Sequence, residues 1–289
     1  MKKINIVIAV ILFFNTITIQ QAFAQQKPDM DVHFIDVGQG DSILIQTPAD
    51  KTILIDGGPP VAGDKVISYL KEQNIEDIDL LIATHPDYDH IGGLVNVLRS
   101  FNVKQVLDTG KIHLTTTFAK YVREIRKQEI PAVIAKPNQN INIDPHVNMK
   151  VLNAYEKNKT NNQSSIVLKM SYDDVDFLLM SDAEMEQEKE LLEKYDVESE
   201  IMKIAHHGSD TSTSYEFLRE VSPETAILTY SVHNDYGHPV ERVVENLTLV
   251  DAKIFSTATF GDLVISTDGD DYYVYPKRGP ADNITRKAA

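Results

Sequence analysis

From residue 31 onward the chain alternates short apolar runs with amphipathic stretches. Asp31 to Asp36 switches between apolar and polar residues, and Ser42 to Gln46 and Thr52 to Asp56 follow as strands, with Gly38, Gly40 and a Pro48 to Asp50 turn between them. The domain therefore opens as a β-meander. Lys65 to Lys71 has helical spacing, Leu80 to Thr84 reads as a buried strand, and Ile91 to Ser100 repeats apolar residues at Leu94, Val97 and Leu98 as a helix does. A short strand at Lys104 to Leu107, a helix at Thr115 to Lys127 and a strand at Ala132 to Ala135 complete a first half. After a polar connection the pattern restarts. Strands are expected at Met149 to Leu152, Ser165 to Met170, Asp176 to Met180, Ile201 to Ala205 and Ala226 to Thr229, with helices at Glu184 to Tyr195, Ser214 to Val221 and Val240 to Leu249. Lys253 to Ser256, Leu263 to Ser266 and Tyr272 to Tyr275 close the chain as strands. Meanders need antiparallel pairing and crossover helices need parallel pairing, so two mixed sheets packed face to face fit this order better than one doubly wound sheet. The expected fold is α+β, a four-layer αββα sandwich.

The N-terminus departs from this pattern. Lys2 and Lys3 precede the apolar run Ile4 to Phe14, and Ala22-Phe23-Ala24 places small residues where a signal peptidase reads them. Residues 1–24 are expected to be a secretory signal peptide, 31–276 the folded domain, and 277–289 a polar tail. Losing both lysines takes the formal charge from −15 to −17, which argues against strong non-specific attraction to nucleic acid or anionic lipid. There are no cysteines. That excludes disulfides, thiolate ligands and a cysteine nucleophile, so any metal is held by His and carboxylate.

Three apolar runs stop at or just before a potential ligand: Leu80 to Ala83 before His85, Phe177 to Met180 before Asp182, and Ile201 to Ala205 before His206. Ligands in α/β sheets gather beyond the carboxyl ends of strands, so the three ends are placed to converge. The densest segment, His85-Pro86-Asp87-Tyr88-Asp89-His90, packs two imidazoles and two carboxylates into six residues. Such charge is costly after a buried strand unless a divalent cation neutralises it. Among the remaining segments, Asp36 to Asp41 reads by itself as a tight glycine turn and Asp182 as a helix N-cap. His206 and His207, adjacent at a strand end, are expected to face opposite ways, one to metal and one to substrate. His33, His113, His146 and His233 lie outside any pattern and read as satisfied or solvent-facing. The chain has no Gly-x-Ser-x-Gly elbow, Walker loop or Gly-x-Gly-x-x-Gly segment, and no aromatic-basic stripe.

The run His85-x-Asp87-x-Asp89-His90 resembles the His-x-His-x-Asp-His signature of the metallo-β-lactamase superfamily, with Asp87 at the second ligand position. Within it, Asp36-Val37-Gly38-Gln39-Gly40-Asp41-Ser42, Asp56-Gly57-Gly58, Ser181-Asp182-Ala183, His206-His207-Gly208-Ser209 and Gly237-His238-Pro239 resemble, in order, the soluble hydrolase domain of the DNA-uptake competence channel (ComEC) family. The resemblance runs from about residue 31 to 276. It implies two divalent metal ions, Zn or Mn, held by His85, Asp87, Asp89, His90, Asp182 and His238, with Asp182 bridging. Asp56 supports the ligands, and Gln39 and Asp41 support them or face substrate. No histidine stands near Asn161 to Ser165, where the superfamily has one, so water or Asn162 is expected to fill that position, and manganese fits the harder site as well as zinc.

The implied chemistry is attack of an activated water on phosphorus, with Asp89 and Asp182 positioning it and His206 or His207 protonating the departing alkoxide. The implied substrate is extracellular DNA or a related phosphodiester. A cell-wall teichoic-acid or phosphocholine ester, a lactone or amide, and a non-catalytic metal-binding role are the alternatives. Asp87 in place of histidine disfavours a β-lactam.

Overall fold

A computed structural model describes residues 27–279; the expected leader at 1–24 and most of the expected tail lie outside them. One sheet runs in the order Tyr272–Pro276, Leu263–Thr267, Met30–Phe34, Ile43–Gln46, Thr52–Ile55, Leu80–Ala83, Val106–Asp108, Ala132–Ile134. Its pairs are antiparallel up to Thr52–Ile55 and parallel beyond it. The other sheet runs Lys253–Ser256, Thr225–Leu228, Ile201–Lys203, Val175–Leu179, Val167–Tyr172, Val147–Asn153, Asn140–Ile141. Here the first four strands are parallel and the rest antiparallel. Each sheet thus joins a hairpin half, made by short turns, to a parallel half, made by helical crossovers.

Strand periodicity sorts the apolar side chains into layers. Ile43, Ile45, Ile53, Ile55, Leu80 and Ile82 point between the sheets and meet Val151, Leu168, Phe177, Leu179 and Ile201. Their neighbours Leu44, Leu54, Leu81 and Ala83 point outward under helices Gly63–Glu72, Leu94–Ser100 and Thr116–Lys127. On the far side Leu178, Met202, Ala226 and Leu228 pack beneath Met185–Lys194, Tyr215–Val221 and Glu241–Leu249. Both faces of each sheet are covered, which is why the parallel strands read as unbroken apolar runs. The result is the four-layer αββα sandwich.

One difference from expectation bears on the metal motif. The helix read over Ile91 to Ser100 is two pieces, Tyr88–Ile91 and Leu94–Ser100, joined by Gly92 and Gly93. A Cβ on Gly93 would lie 2.0 Å from the Gly57 carbonyl oxygen, so two backbones touch there and carry the metal-motif loop close to the sheet. Gly93→Ala is expected to cost about 1–3 kcal/mol through overpacking, read as a lowered midpoint in thermal or denaturant unfolding.

Candidate metal centre

The parallel strand ends of the two sheets deliver the polar residues. Leu80–Ala83 leads to Thr84 and His85, Val175–Leu179 to Ser181 and Asp182, and Ile201–Lys203 to the turn Ala205–Gly208. Thr84 fastens them together. Its carbonyl accepts from Ile166 N at 2.9 Å, its hydroxyl accepts from Ser181 Oγ at 2.8 Å, and its amide and hydroxyl donate to Asp56 at 2.9 and 2.6 Å.

Each central histidine is oriented from behind through Nδ1. His90 Nδ1 lies 2.8 Å from Asp56 Oδ2, His207 Nδ1 2.8 Å from the Thr229 carbonyl, and His85 Nδ1 3.1 Å from Thr84 Oγ1. These contacts turn every Nε2 inward. His85 Nε2 and His90 Nε2 stand 3.7 and 3.4 Å from Asp182 Oδ2. His207 Nε2 stands 3.7 Å from Asp182 Oδ1 and 3.6 Å from Asp89 Oδ2, and Asp87 Oδ2 is 3.7 Å from His85 Nε2. Two ligands bonded at about 2 Å to one tetrahedral ion stand roughly 3.3 Å apart, so these separations suit shared coordination better than direct hydrogen bonding. The three Nε2 atoms and Asp182 Oδ1 are buried with no hydrogen-bond partner, an expensive arrangement unless a cation completes it. His85, His90 and Asp182 form one group that can hold a metal ion, and Asp89, His90 and His207 another.

The electrostatics carry the same message. Burial opposes charge on His90, but Asp182 and Asp56 outweigh it and raise its pKa well above the ordinary histidine value. His207 is raised against burial by Asp182 and Asp41, and the two imidazoles in turn hold the buried Asp182 carboxyl well below the usual range. Burial, then the neighbouring His90, push His85 down to about 3. Protons on His90 and His207 thus supply the positive charge that a divalent cation would supply in exchange for them.

The sequence expected His206 and His207 to point apart, but the strand has ended at Lys203 and both residues take left-handed backbone angles, φ 48° and 55°. Both rings therefore reach Asp182, with His206 Nε2 3.7 Å from its Oδ2. They differ in depth: the His207 side chain is 2% exposed and that of His206 21%. His238 stands outside every metal-capable group found among the described residues. It lines a cleft of about 250 Å³ together with Gln39, Asp87, Asn162 and His206, with its ring 5.7 Å from that of His206. Asn162 Nδ2 is 3.3 Å from His206 Nε2, whereas its neighbour Asn161 donates to Asp87 Oδ1 at 2.5 Å. Gln39 Oε1 accepts from Ser231 N at 3.2 Å.

A family model described as the metallo-beta-lactamase superfamily matches residues 35–233. The chain belongs to that superfamily. This metallo-β-lactamase-fold chain is 29% identical over 252 residues to ComE operon protein 3 of Bacillus subtilis, covering 81% of its own length and 32% of the relative's. It is 28% identical over 237 residues to competence protein ComA of Neisseria gonorrhoeae, covering 79% and 31%. It therefore spans about a third of the length of these relatives. Among solved structures it resembles the metallo-beta-lactamase fold protein YhfI of Bacillus subtilis, with a TM-score of 0.52 at 12% identity over 86% of this chain and 100% of the other. The superfamily fold, with metal-capable His and Asp clusters, makes the chain a metallo-hydrolase by kind.

Several residues of the centre escaped the sequence reading. His113, read as a satisfied or solvent-facing loop residue, lines the cleft, with Nδ1 3.3 Å from Asn161 Nδ2 and Nε2 4.0 Å from Asp87 Oδ1. Lys203 is fully buried and its ammonium lies 2.5 Å from Asp41 Oδ2. Asp41 Oδ1 accepts from Thr229 Oγ1 at 2.5 Å. A lysine inside the apolar run Ile201 to Ala205 is the signal that could have found this pair, since a buried ammonium requires a partner.

Proposed function

We propose that this chain is a two-metal phosphodiesterase acting on extracellular DNA or a related phosphodiester. The observation that carries the reading is the set of buried, unpartnered Nε2 atoms of His85, His90 and His207 gathered around Asp182. In this reading His85, Asp87 and Asp182 hold one ion and Asp89, His90, His207 and Asp182 the other, so His207 takes the ligand role that the sequence pattern assigned to His238. Bound there, two divalent ions of the zinc or manganese kind supply Lewis acidity and lower the pKa of water toward 7.

The chain's own residues do the rest. Asp56, Thr229 and Thr84 fix the imidazoles, Asp89 and Asp182 orient the attacking water, and Gln39 and Asn162 border the space substrate enters. Proton delivery to the departing oxygen falls to His206, the more exposed of the histidine pair. Burial lowers its pKa, and an arriving phosphate opposes that shift by favouring the charged ring. His238, lowered to about 4 by burial and by His206, stays neutral and contributes contact to substrate. The similarity to competence proteins supports a nucleic-acid substrate, and the leader expected at residues 1–24 supports action outside the cell.

The test is hydrolysis of bis-p-nitrophenyl phosphate by the purified protein with added Mn²⁺ or Zn²⁺. We expect turnover that a chelator abolishes and that an Asp89→Ala, His90→Ala variant lacks. Unchanged activity in that variant sinks the proposal.

A further inference from the structure

Beside the cleft lies a second, larger depression of about 960 Å³, lined by Ile112, Leu114, Phe118, Val122, Arg123, Arg126 and Lys127 among others. It is continuous with the metal centre, because His113 and Thr115 line both. Its near wall is tied to the ligand loop through His113, Asn161 and Asp87. Its floor is the flank of helix Thr116–Lys127 on which Phe118, Val122 and Arg126 recur at four-residue spacing, Phe118 and Val122 being half-buried against the core beneath the helix. Two features need explaining. Ile112 and Leu114 are 78% and 96% exposed on the rim, and the three cations Arg123, Arg126 and Lys127 have no carboxylate within ion-pairing distance among the described residues, although Arg99 on the neighbouring helix pairs with Glu124 at 2.7 Å. In a chain of formal charge −15, such a cationic strip leading from the centre is a local reversal of sign.

Resting on the phosphodiesterase reading, we propose that this groove binds the length of a single nucleic-acid strand beyond the scissile phosphate. Arg123, Arg126 and Lys127 hold successive phosphates, and Ile112, Leu114, Phe118 and Val122 receive the apolar faces of unpaired bases. Cations alternating with apolar surface are the elements of single-strand binding, and splayed bases supply the apolar partner that a sugar-phosphate or glycerol-phosphate polymer lacks. An acidic protein can use such a strip because the attraction acts within a Debye length of roughly 10 Å. These residues are specificity determinants and touch no reacting atom.

The experiment compares the wild type with an Arg123→Gln, Arg126→Gln, Lys127→Gln variant and with an Ile112→Ser, Leu114→Ser variant, all sites being on the surface. Binding of fluorescein-labelled single-stranded oligodeoxythymidylate is followed by anisotropy at several salt concentrations in chelator. KM and kcat are then measured on the unlabelled strand and on bis-p-nitrophenyl phosphate with Mn²⁺. For the cation variant we expect strand affinity to fall roughly tenfold or more at low salt, and the slope of log affinity against log salt to lose about 2, the value for three phosphate contacts on a single strand. KM for the strand should rise with it, while kcat/KM for the small diester stays within about twofold. The serine variant should weaken the strand without changing the salt slope. Unaltered strand affinity in both variants overturns the groove, as does wild-type binding of polyglycerol phosphate as tight as that of the strand. Failure of the wild type to cleave the small diester overturns the phosphodiesterase reading instead, and the anisotropy result still stands on its own.

Discussion

Asp182→Asn is expected to lower hydrolysis of bis-p-nitrophenyl phosphate by about a thousandfold or more, the equivalent of the several kcal/mol that metal-assisted charge stabilisation supplies. The size follows from position. Asp182 lies among the inward-facing Nε2 atoms of four histidines, Oδ2 toward His85, His90 and His206 and Oδ1 toward His207. An amide keeps the volume but loses the negative charge that, on the proposed two-metal reading, would let two cations sit side by side, and its NH₂ would point at an imidazole nitrogen or an ion. Metal content should therefore fall along with rate. Elemental analysis after dialysis distinguishes this from a purely catalytic loss: two ions per chain retained in an inactive Asp182→Asn protein would contradict the sharing assigned to it. Because Asp182 also holds the charge on His90 and His207, the metal-free variant should bind fewer protons near neutral pH than the metal-free wild type.

How much of this was legible in the sequence depends on the range of the interaction involved. The sandwich was legible because burial on both faces imposes apolar strands such as Leu80–Ala83, and the alternation of meander and crossover then leaves few topologies. The ligand loop was legible because its four polar side chains are adjacent in the chain. The split at Gly92 and Gly93 was not, since nothing local says that Gly93 must approach Gly57. Nor was the common direction of His206 and His207, which depends on left-handed backbone at two non-glycine residues that strand periodicity cannot anticipate. His113 lies 26 residues beyond Asp87 and meets it only through the loop that follows Val106–Asp108. Lys203 stood in plain view inside an apolar run, but its partner Asp41 comes from the other sheet's opening loop.

That last pair carries the largest expected effect on stability. Lys203→Met should destabilise the protein by about 3–5 kcal/mol, because it leaves Asp41 buried without its nearest counter-charge. For a chain of this length the melting midpoint should fall by roughly 10 °C. The site makes the cost steep: Asp41 lies among Asp56, Asp182 and the central histidines, and Lys203 is the fully buried ammonium that pairs with it. Burial alone would raise the Asp41 carboxyl, and Lys203, with His207 and His90, lowers it instead. In the wild type its contribution is therefore present above the unfolded carboxylate pKa and is lost as pH falls through the lower folded value. In metal-free Lys203→Met the largest of these lowering influences is gone while His207 and His90 remain, so the Asp41 pKa rises relative to the wild type, and the deficit is largest at neutral pH and shrinks in acid as the carboxyl protonates. Asp41→Asn added to Lys203→Met removes the stranded charge, and the double variant should recover much of the lost stability, since an ion pair replaced as a unit costs far less than one broken. Equal midpoints for the single and double variants would show that Lys203 matters for its packing and not for the charge of Asp41.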